Sequence, residues 1–242
     1  MTNSVDQKEI QQFSKDSLSW WDEKGPFAPL HRLNPVRLSY IKAQICEHYG
    51  RDVKALKALE GLDVLDIGCG GGLVCEPLAR LGANTTGADA DSQAIAVAKA
   101  HADDNGLDIT YENKPAEDID KQFDVVLALE IIEHVKEPSA FVASVAGRVK
   151  PGGLVIFSTL NRNPKSFLLG IVAAEYILRW VPAGTHSWNK FIKPSELSRF
   201  ARNAALKPHN ITGLIYNPVS DVFSLSKTDI DVNYLLSAKK PA

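Results

Sequence analysis

Apolar and polar positions along the chain fall into alternating blocks of two kinds. Residues 62–67, 123–129 and 154–158 are short apolar runs with β-branched members, the pattern of buried strands. Residues 84–89 and 109–112 read as two shorter strands, and residues 211–217 and 233–239 as closing strands with a polar loop at 224–231 between them. Helical patterns lie between the strands. One runs over 73–81 and breaks at Gly82. A second is capped by Asp91 and stops at Gly106. A third starts at Pro138 and ends at Pro151-Gly152-Gly153, and a fourth starts near Pro194 or Ser195. Strands alternating with helices predict an α/β fold: a mostly parallel, seven-stranded sheet with helices on both faces.

Two segments stand outside that alternation. Residues 1–50 are helical in pattern, with Ile10, Phe13, Leu18, Trp20 and Trp21 as apolar marks. A proline-punctuated loop over 25–35 interrupts them, and a helix resumes over 36–48. This segment suits either a lid across the mouth at the strand ends or plain packing against the sheet. Arg37 within it suits either a two-pronged hold on a carboxylate or a surface ion pair. The second segment, residues 167–181, is apolar with only Glu175 and Arg179 charged. It is too short and too charged to span a bilayer. It suits a helix lying in a membrane interface, with Tyr176 and Trp180 at headgroup level and Lys165, Arg179 and Lys190 near lipid phosphates. A buried helix or a dimer contact are the other readings. The organisation is one domain over 1–242: a helical segment or lid at 1–50, a core at 62–160, an insertion at 161–193, and a closing helix and strands at 194–242.

Composition narrows the classes. The 242 residues suffice for one full core, and 45% apolar with 23% charged is an ordinary globular mixture. A net charge of −2 offers no bulk basic surface for nucleic acid. Cys46, Cys69 and Cys75 form no Cys-x-x-Cys pair. With a polar start lacking a signal or transit pattern, they read as reduced thiols in the cytoplasm.

The chemistry concentrates at the strand ends. After the first strand come Gly68-Cys69-Gly70-Gly71-Gly72, a turn that bares backbone amides to a ligand. The dinucleotide fingerprint requires a glycine at the sixth position of such a turn, and Leu73 stands there. Asp66 followed by this turn instead resembles the first motif of class I methyltransferases that use S-adenosylmethionine. That ligand carries an ammonium for an acid such as Asp66 and a carboxylate for bare amides at Gly68 and Gly70. Asp89, 21 positions after Gly68, ends the second strand where an acid accepts from ribose hydroxyls. Ala116 and Glu117 follow the third strand, where an adenine would lie. Leu129 ends the fourth strand beside the ligand. Beyond it, Glu130, Glu133 and His134 share one face if the turn is helical. Two carboxylates and an imidazole suit a divalent ion with open positions. They equally suit a helix N-terminal dipole with a packed or capping histidine. His134 is either a metal ligand or a general base.

Longer motifs carry a closer resemblance. They are His31-Arg32-Leu33-Asn34-Pro35-Val36-Arg37-Leu38, residues 64–72, Glu130-Ile131-Ile132-Glu133-His134-Val135, and Asn161-Arg162-Asn163-Pro164-Lys165-Ser166 running on to Gly184-Thr185-His186. Over nearly the whole chain the sequence resembles the ubiquinone-biosynthesis O-methyltransferase family. The resemblance implies a Rossmann-like class I fold and contacts to S-adenosylmethionine at Arg37, Gly68, Asp89 and Leu129. It also implies a divalent metal, magnesium, at Glu130, Glu133 and His134. The acceptors it implies are the catechol hydroxyls of polyprenyl ubiquinone precursors. It further implies docking through residues 165–190 on the inner face of the cytoplasmic membrane, beside other ubiquinone-biosynthesis enzymes.

Overall fold

The computed structural model describes residues 14, 16–168 and 188–242. Its sheet runs β3-β2-β1-β4-β5-β8-β6-β7. The strands are β1 (Asp63–Ile67), β2 (Asn84–Asp89), β3 (Thr110–Asn113), β4 (Phe123–Leu129), β5 (Val149–Leu160), β6 (Lys207–Asn217), β7 (Val222–Ser226) and β8 (Asn233–Lys239). Strands β1 to β5 pair in parallel, and β8, β6 and β7 add antiparallel. The order reverses between β1 and β4, so the crevice for a ligand lies at their carboxyl ends.

The alternation of the central strands builds two cores. Leu65, Ile67, Val126, Ala128, Val155 and Phe157 pack on one face with Phe141, Val142, Val145, Leu197 and Ala201 from the helices Pro138–Arg148 and Pro194–Asn203. Val64, Val125, Leu127, Leu154 and Ile156 pack on the other with Leu33, Ile41, Ile45 and Leu78 from the helices Ala28–Tyr49 and Cys75–Arg80. Asp91 caps the helix Ser92–Asp104 by accepting from the Gln93 amide at 2.9 Å, a bond worth about 1 kcal/mol.

Three expectations are corrected. The sheet has eight strands, because the first residues of the polar stretch 224–231 belong to β7. As an edge strand paired only to β6, β7 buries little and so shows no apolar alternation. The helix Ala28–Tyr49 runs straight through the stretch read as a loop, with Pro35 inside it. Pro35 forfeits one backbone bond, but Leu33, Tyr40, Ile41 and Ile45 are buried along the same helix, and that burial outweighs the loss. The Pro151-Gly152-Gly153 stop is also shifted. The helix ends at Arg148, and these residues lie within β5, where the register against β4 slips.

Candidate active site

The glycine turn leaves β1 with Gly68 at φ 74° and Gly70 at φ 51°, backbone that side chains rarely adopt. A Cβ on Gly68 would lie 2.4 Å from the Ile131 side chain, so the turn is pressed against the segment after β4. Asp89 closes the turn from the end of β2. It accepts from the Gly70 amide at 2.9 Å and from the Asp91 amide at 2.8 Å. Burial raises its pKa, and the two amide bonds oppose that rise. Asp91 is the helix cap, as expected.

Asp66 lies buried behind the turn. Burial pushes its pKa up to about 7 against the pull of Arg37, and the Cys75 thiol donates to it at 3.6 Å. Arg37 is buried too, which removes the surface ion pair as a reading. Its guanidinium donates to Asn34 Oδ1 at 3.2 and 2.5 Å, and Asn34 Nδ2 donates to the Leu73 carbonyl at 2.9 Å. Burial lowers the Arg37 pKa, while Glu130 and Asp66 both support its charge. Arg37 therefore stands between the glycine turn and the segment after β4. Ala116 is buried in the core at the start of a short 3-10 turn, with Glu117 half-exposed next to it. Leu129 is buried at the end of β4.

The N-terminal segment lies over this turn. Ser17 Oγ donates to Asp91 at 2.8 Å, and Trp21 Nε1 donates to the Gly71 carbonyl at 2.9 Å. The Trp21 ring stacks on His101 at 3.5 Å, and Trp20 stacks on Phe27 at 3.9 Å. Residues 16–27 are thus a strap packed across the glycine turn.

The acids after β4 sit differently from the single helical face expected. Glu130 has φ 52°, a left-handed break that ends the strand, and the 3-10 turn is confined to Ile132–His134. The break sends the Glu130 carboxylate across the sheet, where its Oε1 accepts from Ser158 Oγ at 2.7 Å and Asn233 Nδ2 at 3.0 Å. Glu133 is buried and accepts from Thr159 Oγ1 at 2.8 Å. Burial first and the Glu130 carboxylate second raise its pKa well above the carboxylate range, with His134 opposing. His134 is half-buried at the end of the turn. Among the described residues no three His, Cys, Asp or Glu side chains are gathered to hold a metal ion.

Ser158, Thr159 and Asn233 are the partners of these acids. Ser158 and Thr159 are the polar end of an apolar strand, a legible signal. Asn233 becomes a neighbour only through the β5–β8 register, in which it faces Leu160. The polar loop 161–164 serves structure. Asn163 caps the turn Pro164–Ser166, and Arg162 bonds Glu196. Lys165, expected near lipid phosphates, donates to Asp229 at 2.9 Å and Asp231 at 3.1 Å. Glu175, Tyr176, Arg179, Trp180 and the Gly184-Thr185-His186 motif lie outside the described residues, as do Ile10 and Phe13. Among the described residues no helix is long and apolar enough to cross a membrane. The three cysteines are buried free thiols.

Comparison with known proteins follows the same lines. A family model described as a methyltransferase domain matches residues 39–210. A ubiquinone biosynthesis O-methyltransferase of Dinoroseobacter shibae is 48% identical over 244 residues, covering 100% of this chain and 98% of that protein. One of Bradyrhizobium diazoefficiens is 51% identical over 239 residues, covering 98% and 94%. Among solved structures, the magnesium protoporphyrin IX methyltransferase of Synechocystis with bound S-adenosylmethionine superposes with a TM-score of 0.63 at 17% identity, covering 99% and 100%. An S-adenosylmethionine-dependent methyltransferase of Clostridium acetobutylicum gives 0.61 at 13% identity, covering 84% and 91%. These structures establish the class I fold.

Proposed function

This chain belongs to the ubiquinone biosynthesis O-methyltransferases, enzymes that use S-adenosylmethionine, and from that membership we propose that it methylates the catechol hydroxyls of polyprenyl ubiquinone precursors. The acceptors in this reading are 2-polyprenyl-6-hydroxyphenol and 3-demethylubiquinol. The observation that carries it is the pairing of two unlike sites across one crevice. A glycine turn with Asp89 suits the cofactor, and a cluster of acids at the ends of β4, β5 and β8 suits a phenolic acceptor.

The sulfonium methyl passes in line to a phenol oxygen. A catechol hydroxyl has a pKa of roughly 10 and attacks well only after losing its proton. His134, half-buried at this edge, takes that proton in our reading. Arg37, buried between the two halves, orients the amino-acid end of the cofactor. Charge disappears as sulfonium meets phenolate, so a site closed by the strap at 16–27 favours the transfer.

The acid pair suits a divalent cation in its donor chemistry. Burial first and the Glu130 carboxylate second raise the Glu133 pKa, and a cation would relieve that repulsion. Glu130 and Glu133 would hold it, with His134 kept as the base. The ion, magnesium in our reading, would supply positive charge that lowers the catechol pKa.

The polyprenyl tail stays in lipid in this reading, with residues 165–190 against the inner face of the cytoplasmic membrane. The described start of that segment supports it: Phe167 and Leu168 present 47% and 58% of their surface to solvent.

Transfer of a labelled methyl from S-adenosylmethionine to a short-chain prenylated catechol, with magnesium and then with chelator, tests the proposal. Transfer that ceases with chelator is expected. Transfer that survives chelation sinks the metal and leaves His134 as a metal-free base. Cofactor binding with no transfer sinks the acceptor.

A further inference from the structure

The strap over the glycine turn contains one donor with nothing to bond. Trp20 Nε1 is fully buried and has no partner. Its neighbours on the strap are all engaged: Ser17 with Asp91, Trp21 with the Gly71 carbonyl, and the Trp20 carbonyl itself with His31 at 2.8 Å. The ring is packed on both a neighbouring ring and the glycine turn. It is stacked on Phe27 with 7° between the planes, and its Cζ2, Cη2 and Cε2 atoms lie 2.4, 2.5 and 3.0 Å from the point a Cβ on Gly70 would occupy. Cε2 is bonded to Nε1, so the unmet N–H stands at the glycine turn. A buried donor without an acceptor is costly, and a fixed one implies that the acceptor arrives with a ligand.

The chemistry of the surroundings selects the acceptor. Asp89 offers oxygens that only accept, so it suits hydroxyl groups of the ligand. Trp20 Nε1 and the Arg37 guanidinium only donate, and Arg37 is tied to the same turn through Asn34 and the Leu73 carbonyl. The one anionic acceptor on S-adenosylmethionine is its α-carboxylate. We propose that Trp20 Nε1 donates to the α-carboxylate of bound S-adenosylmethionine, in concert with Arg37, which makes the strap a part of the cofactor site. This rests on the cofactor reading above.

Trp20→Phe keeps an aromatic ring on the strap and removes the N–H together with part of the fused ring, a loss of packing that 5′-methylthioadenosine controls for. Calorimetry on wild type and variant would compare S-adenosylmethionine with 5′-methylthioadenosine, which keeps the nucleoside and lacks the amino-acid end. The expected result is about a tenfold or greater loss of affinity for S-adenosylmethionine, with 5′-methylthioadenosine unchanged within about twofold. Unchanged binding of both, or an equal loss for both, overturns the assignment. If the variant fails to fold, the wild-type indole N–H resonances decide. The Trp20 signal should move downfield with S-adenosylmethionine and stay in place with 5′-methylthioadenosine; no difference between the two overturns the proposal. A wild type that binds neither compound removes the cofactor reading itself, and the Trp20 assignment with it.

Discussion

The two halves of the crevice are built by opposite means. On the β1–β2 side the surface is mostly backbone. The amides expected to lie bare are engaged within the fold, Gly68 with the Ala88 carbonyl at 2.7 Å and Gly70 with Asp89 at 2.9 Å, and Asp89 also accepts from the Asp91 amide. On the β4–β5–β8 side the surface is side chains bonded to side chains: Glu130 to Ser158 and Asn233, and Glu133 to Thr159. The first half needs a turn of a certain shape and tolerates whatever sheet lies behind it. The second exists only because three strands arrive in one register. The difference separates binding from chemistry. A glycine turn acts through backbone shape, whereas a buried acid with a raised pKa, as Glu133 is, is poised to exchange a proton or meet a cation.

Removing an acid from the second half should therefore destroy turnover and spare binding. Glu133→Gln keeps an oxygen for Thr159 and is expected to lower kcat by about a hundredfold or more, with S-adenosylmethionine affinity within about twofold. Steady-state kinetics beside calorimetry would measure both, and a fully active variant would break the comparison. Removing the acid from the first half should do the reverse. Asp89→Ala is expected to weaken S-adenosylmethionine by roughly ten- to a hundredfold, with kcat at saturating cofactor changed only a few-fold. Unaltered affinity would place the ribose elsewhere.

A further effect, on stability rather than turnover, concerns Asp66, which is buried behind the glycine turn. Its folded pKa of about 7 is above the ordinary 3.8, so folding favours the protonated form. Its contribution to stability is full below about pH 4 and is lost as pH rises through about 7, by up to about 4 kcal/mol. Asp66→Asn should flatten that decline. Thermal unfolding of the ligand-free protein from pH 4 to 8 would read it as a melting point that falls less steeply in the variant. Parallel slopes would mean that Asp66 is ionised in the fold.

Much of the cofactor half could be read from the chain because its causes are local. The glycine turn, the Asp91 cap and the position of Asp89 each follow from spacing within one strand-turn-helix unit. The helix through Pro35 could not be read so. A proline-rich stretch signals a loop, and only the burial of Leu33, Ile41 and Ile45 against the sheet overrules it. Strand β7 was hidden because an edge strand has no buried face to reveal its period. Trp20 was visible as an apolar mark, but its unmet N–H appears only when the strap is laid on Gly70.

By itself the sequence determined the α/β alternation, the central strands, the glycine turn and the presence of acids after the fourth strand. Those features depend on periodicity and on conformational limits within a few residues. Tertiary structure alone decided that the Glu130 carboxylate meets Ser158 and Asn233. It also decided that Arg37 is buried between the halves and that the strap crosses the glycines. These contacts join residues as far as 103 positions apart, as Glu130 and Asn233 are. Their energy comes from burial and register, which no local window of the chain encodes.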